Sequence, residues 1–269
     1  MMGSKARNYS DSTLKRLFGL SGNQCAFPRC TKLMVNASNA KDSNICHIEA
    51  ANEKGERYNP NMTDKQRADY ENLILLCPQH HDETNNEEKY TVDVLKEMKR
   101  NHESKLLHEK IKSKPSMLNN AINAIAEISF DDIDEQDNLT VFDPKLKITH
   151  NAIKRNVVVI QEYKVYHHKI NSLYDELELQ GSIKKESLLR NIKMIYTEVK
   201  GSYVLDSQNE LDVIRENSDN IIDGVYEKLY TKMEESDYWD EDIIFAIRLI
   251  MIDAFMRCKI LEEPPKNDS

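Results

Sequence analysis

The sequence predicts a mainly α-helical chain with a small α+β unit at its N-terminal end, and three observations carry that expectation. The pairs Cys25/Cys30 and Cys77/His80 stand about fifty residues apart and bracket short apolar runs, among them Leu73 to Leu76. Four soft or borderline donors in two pairs read as a tetrahedral zinc site that pins a small domain. Next, Lys112-Ser113-Lys114-Pro115-Ser116 reads as a boundary, because proline disfavours helix in the residue before it. Finally, nearly everything from Phe142 to Glu263 repeats apolar residues at helical spacing. The expected organisation is a zinc-stabilised domain over residues 1–113, a linker over 114–140 and a helical bundle over 141–269.

Ser10 or Asp11 can cap a short amphipathic helix through Leu14, Leu17 and Phe18 that ends near Gly22. The knuckle Cys25-Ala26-Phe27-Pro28-Arg29-Cys30 follows, then a short strand over Leu33 to Val35 and a polar loop into Ile45-Cys46-His47-Ile48. Residues 52–70 form a long polar excursion with Arg57, Lys65 and Arg67, read as a solvated insertion in preference to a substrate-wrapping loop. The run 73–76 reads as a buried strand stopped by Pro78. Cys77 and His80, three apart on the turn that follows, can converge on one zinc ion with Cys25 and Cys30. His80 is assigned to that ion, with His81 the alternative. Adjacent residues at a helix start diverge by about 100°, so the two histidines can serve different ions. Thr91 or Tyr90 opens a basic helix from Val92 to about Lys112.

In the second half, residues 117–140 hold a short helix and then the acidic run Asp131 to Asp137, read as a linker. Tyr166, Ile170, Leu173, Tyr174 and Leu177 make a helical stripe that Gly181 stops. Leu188 to Val199 repeats the pattern, and Ile221 to Met233 makes a third stripe with Asp219 as its candidate cap. The segment Ile243 to Cys258 is apolar on nearly every face, which suits the middle of a bundle or a partner's groove. Its Asp253 is expected to pair with a nearby Lys or a helix end.

Composition excludes several classes. Hydrophobic content of 39% with 31% charged residues describes a soluble, helix-leaning chain. With no cleavable signal read at the N-terminus and an apolar run from Ile243 too short to span a bilayer, the chain is expected to be cytoplasmic. Four of the five cysteines are accounted for by metal spacing (Cys25, Cys30, Cys77) or by placement beside His47 (Cys46), which argues against a disulfide scaffold. Net charge is −9, but it is unevenly spread. Residues 1–113 hold 18 basic against 16 acidic residues, a balance of +2, and the remainder 19 against 30, a balance of −11. The first half is the one that can approach phosphate, and the second half suits a protein partner.

Inside the zinc pairs lies a second constellation that zinc does not need. His47 follows Cys46, Asn72 opens the phrase Asn72-Leu-Ile-Leu-Leu-Cys-Pro-Gln-His-His, and His81 follows His80. This order resembles the HNH endonuclease motif over about residues 12 to 110. The resemblance implies a ββα-metal (His-Me finger) fold, with a hairpin carrying His47 and a helix carrying His81. It also implies that His47 is the general base, that His81 holds a catalytic divalent ion (Mg²⁺ or Mn²⁺), and that Asn72 orients His47 or supports the metal. One position departs: where many HNH enzymes have a metal-binding Asp before the base, this chain has Cys46. A thiol is a poor ligand for hard Mg²⁺. Cys46 then reads as a small buried hydrophobe, and Glu49, Asp82 and Glu83 are the nearby carboxylates for the ion.

A second resemblance runs through Asp143-Pro144-Lys145-Leu146-Lys147-Ile148-Thr149-His150-Asn151, Tyr174 to Glu178 with Gln180-Gly181, and Asp253 to Ile260. It is similar to the C-terminal domain of effectors in bacterial ABC three-component defence systems, relatives of Lamassu. That implies an anti-phage complex with an SMC-like ATPase and a small middle subunit, with DNA as the nuclease's substrate. Two other readings stand beside it: a non-catalytic, zinc-stabilised adaptor that recruits nucleic acid, and a stand-alone HNH nuclease whose second half makes a homo-oligomer.

Overall fold

The computed structural model describes residues 5–35, 44–114, 116–127, 141–205, 208–236 and 243–265. The chain forms two units, Met1–Lys114 and Pro115–Ser269, divided beside the proline that marks the boundary in the sequence. The acidic run 131–137, expected as a linker, lies outside the described residues.

The first unit opens with a single turn, Lys5–Arg7, and then helix α1, Asp11–Leu20. The Ser10 hydroxyl accepts from the Thr13 N–H at 3.1 Å and so caps α1. Strand β1, Asn44–His47, pairs antiparallel with β2, Leu73–Leu76, setting Cys46 opposite Ile74 and His47 opposite Leu73. Every residue of β2 is buried, which is why its sequence is a continuous apolar run without alternation. Pro78 starts the short helix α3, Pro78–Glu83, at the position where a missing N–H does no harm. Thr91 caps the long helix α4, Val92–Ser113. The strand expected at 33–35 is reduced to an isolated bridge between Leu33 and Gln24. The Asn23 side chain bonds both backbone groups of Val35, at 2.8 and 2.9 Å.

Residues 52–70 also depart from expectation, because their arginines point inward. They carry α2, Asp64–Arg67, with a capping box between Thr63 and Gln66. Arg57 donates to the carbonyls of Ile48 (2.9 Å), Thr84 (2.9 Å) and Tyr90 (3.1 Å), clamping the end of β1 to the region of α3. Arg67 is buried and donates to the Asn59 carbonyl at 2.7 Å. Gly55 permits the tight return of this segment, since a Cβ there would lie 2.7 Å from that of Ala50.

The second unit contains α5, Ser116–Ala126; α6, Pro144–His150; α7, Val157–Tyr163; α8, His167–Leu179; α9, Lys184–Val204; α10, Glu210–Glu234; and α11, Ile243–Met256. Helix α5 falls inside the stretch expected as linker. Its Ala121, Ile122, Ala124 and Ile125 are buried, and it packs on α9 and α11, so it belongs to the bundle. Every residue of α11 is buried, and the helix touches each of α5 to α10, which explains its all-round apolarity. Helix α10 starts at Glu210, well before Asp219, because Ile214 and Ser218 extend its buried stripe. Asp219 is a cap of a different helix. Its carboxylate accepts the backbone N–H groups of Lys154 (2.9 Å), Arg155 (3.1 Å) and Asn156 (2.9 Å) at the start of α7.

Candidate functional site

Cys25, Cys30, Cys77 and His80 converge, with all four ligand atoms within 4.8 Å of one another. The knuckle reaches β2 through the Ala26 N–H, which donates to the Leu75 carbonyl at 2.9 Å. Cys77 follows β2 directly, and its N–H points at Cys25 Sγ at 3.3 Å. His80, one turn into α3, aims Nδ1 at Cys25 Sγ (3.4 Å) and Cys77 Sγ (3.2 Å). Two ligands on a tetrahedral zinc ion, at the usual Zn–S and Zn–N lengths, stand about 3.6 Å apart. The donors therefore fit zinc closely. Phe27 stacks on the His80 ring, and Arg29 adopts a left-handed φ of 64° that turns the knuckle toward Cys30. Burial, ahead of the neighbouring Cys30 and Cys77, pushes the Cys25 thiol up to about 12, so a metal ion must displace its proton. Among the described residues this is the one cluster of three or more such donors.

His81 takes another direction. It lines a cleft of about 570 Å³ shared with His47, Cys46, Tyr9, Arg7, Lys54 and Glu56. His47 ends β1, with Nε2 3.0 Å from the Ala6 carbonyl oxygen. A carbonyl only accepts, so Nε2 carries the proton, and in the neutral ring Nδ1 keeps its lone pair. The Tyr9 hydroxyl approaches the same nitrogen at 3.5 Å. Burial, the largest cause, lowers the His47 pKa, and the Arg7 and Arg67 charges lower it further against the opposing Ala6 bond.

Asn72 is not on the cleft. It is buried, its Oδ1 accepts from the Glu49 N–H at 2.9 Å, and its Nδ2 donates to the carbonyls of Glu49 (2.9 Å) and Arg67 (3.0 Å). Its amide thus holds the backbone two residues past His47 and touches neither histidine. The Cys46 thiol is buried, raised to about 12 mainly by that burial, and contacts the Asn44 carbonyl at 3.4 Å. It stays neutral and packs as a small hydrophobe.

The carboxylates singled out in the sequence are elsewhere. Glu49 accepts from Asn59 at 2.8 Å, lies 3.6 Å from Lys96, and lines a separate hollow. Glu83 accepts from Tyr90 and Lys89, and Asp82 is exposed. Glu56 is the carboxylate among the cleft's lining residues, and sequence reasoning missed it together with Ala6, Arg7 and Tyr9. These residues carry no periodicity or ligand spacing, so only the fold brings them to His47.

The second unit decides the family. A family model described as C-terminal domain 10 of the ABC-three component (ABC-3C) systems matches residues 116–262, more than half of the chain. The chain belongs to this ABC-3C family. Membership gives it a role in a multi-component defence system. No curated protein matches the chain, and neither does any solved structure.

Within the ABC-3C domain, the polar centre is a closed ring of side chains around Asp253 of α11. Its Oδ1 meets His167 Nδ1 at 2.6 Å, and its Oδ2 accepts from Tyr174 (3.1 Å) and Arg257 (3.0 Å). Arg257 also donates to the Asn171 oxygen, which leaves the Asn171 amide to donate to His167 Nε2 at 3.1 Å. The partners of Asp253 are thus Arg257, His167 and Tyr174 in place of the expected Lys or helix end. A His–Asp pair whose outward nitrogen is capped in this way holds a core together and leaves no base to act on a nucleophile. No described helix is long and apolar enough to cross a membrane.

Proposed function

We propose that the N-terminal unit is a metal-dependent HNH endonuclease that hydrolyses DNA phosphodiester bonds, carried as the effector of an anti-phage ABC-3C complex with an SMC-like ATPase. One observation carries the reading. Two adjacent histidines divide their work: His80 turns to the zinc-type cluster, and His81 turns to the cleft that holds His47. A purely structural knuckle has no use for the second arrangement.

His47 is the general base. The Ala6 carbonyl fixes its tautomer, so Nδ1 can take a proton from the attacking water. Asn72 positions it by holding the Glu49 backbone. The lowered His47 pKa keeps the base unprotonated below the ordinary imidazole range, so cleavage should persist to more acid pH than an ordinary imidazole base allows. His81 and Glu56 are the residues that would hold the divalent ion; when bound, it supplies positive charge at the phosphoryl and leaving oxygens. Mg²⁺ keeps much of its shell as water and substrate oxygens, so two protein donors suffice.

The zinc-only adaptor reading has its own support, since the cluster of Cys25, Cys30, Cys77 and His80 is the one such group among the described residues. The variant His81→Ala separates the two. It should lose plasmid cleavage while keeping its zinc, and a His81→Ala chain that cuts at the wild-type rate overturns the proposal.

A further inference from the structure

The cleft beside His47 contains more charge than hydrolysis alone explains. Arg7, Lys54 and Arg57 all line it, against the single carboxylate of Glu56. Arg57 is committed to three backbone carbonyls. Neither Arg7 nor Lys54 makes a hydrogen bond or ion pair within the described residues, and both side chains are exposed. The two come from separate segments, Arg7 from the turn Lys5–Arg7 and Lys54 from the loop beyond β1.

The position of Arg7 is fixed by its neighbour. Ala6 is fully buried, its carbonyl holds His47, and α2 packs against the turn that carries both residues. The backbone that sets the tautomer of His47 therefore also sets where the Arg7 guanidinium starts. A guanidinium with no ion-pair partner among the described residues, anchored beside a candidate base, suits bidentate phosphate contact, and a lysine supplies a second point charge. A chain of net charge −9 needs such local cations to draw a polyanion.

We infer that Arg7 and Lys54 are phosphate contacts that seat a nucleic-acid strand across the cleft. This rests on the nuclease reading and specifies its substrate: a polyanionic strand touched at more than one phosphate. A lone phosphomonoester would leave one of the two cations unused.

The test measures binding separately from cleavage. Full-length His47→Ala chain is titrated with a fluorescent DNA duplex at several salt concentrations. Arg7→Ala and Lys54→Ala, each added to that background, should lower the slope of log affinity against log salt by about one. Arg7→Lys should restore most of the slope, and Lys112→Ala at the far end of α4 should leave it unchanged. Unchanged slopes for Arg7→Ala and Lys54→Ala overturn the phosphate assignment, even if the wild-type chain cuts plasmid and the nuclease reading stands. Equal loss with Lys112→Ala also overturns it, since the effect would then be net charge alone. No binding by the His47→Ala chain overturns it as well, and wild-type cleavage then reports separately on the nuclease.

Discussion

The His80 imidazole lies flat on the Phe27 ring, with centroids 3.9 Å apart and planes 2° apart. Phe27 sits between Cys25 and Cys30 in the knuckle, so the element that supplies two sulfurs also orients the nitrogen of the fourth ligand. Residues behind metal ligands commonly contribute 10–100-fold to affinity. Phe27→Ala should therefore weaken zinc binding by about 10-fold or more in a chelator competition. Unchanged affinity would show that the stack is packing alone.

Removing a sulfur should do more. Cys25→Ser or Cys77→Ser should release zinc and unfold residues 20–110, read by metal analysis and circular dichroism. The pH dependence has a definite sign. The Cys25 thiol stands near 12 without metal, so zinc binding expels a proton and weakens as pH falls. Full zinc content in both serine variants, or tighter binding in acid, would refute the ligand set.

The buried Asn72 side chain makes three hydrogen bonds, two as donor and one as acceptor. Asn72→Ala should lower stability by about 2–4 kcal/mol, the scale for several buried polar groups left unpaired. Asn72→Asp should be at least as damaging, because it sets a carboxylate against the Glu49 and Arg67 carbonyls. Denaturant unfolding separates the cases: a benign Asn72→Asp would mean that donation from this side chain is dispensable.

In the ABC-3C domain, Asp253→Ala leaves Arg257 buried without its carboxylate and should lower stability by about 3–5 kcal/mol. Asp253→Asn keeps an acceptor and should be milder. Zinc content should not change in either variant. Equal thermal stability of Asp253→Ala and wild type would contradict the ring around Asp253.

Much of this fold is legible in the sequence because its signals are local. Ser10 and Thr91 cap the helices they precede, Gly181 takes the left-handed φ of 70° after α8, and the apolar run 73–76 is the buried strand. The cluster of Cys25, Cys30, Cys77 and His80 is legible because each pair carries its own short ligand spacing, even though the pairs lie 52 to 55 residues apart. Contacts made by residues with no such signature are not. Arg57 reads as a substrate or solvent residue until the carbonyls of Thr84 and Tyr90 are brought to it. Asp219 looks like the cap of its own helix, yet it caps one 63 to 65 residues away. The Ala6 carbonyl has no sequence signal at all, since any residue supplies one.

The most direct test is nicking of supercoiled plasmid in Mg²⁺ or Mn²⁺ by the full-length chain, alone and with the other components of its ABC-3C system. Wild type is compared with His47→Ala, with zinc content and circular dichroism measured on the same samples. The account predicts that wild type cuts, and that His47→Ala keeps its zinc and its fold while losing on the order of 100-fold or more in rate. A folded, zinc-loaded His47→Ala chain that cuts as fast as wild type, or a wild-type chain that never cuts in either setting, would contradict it.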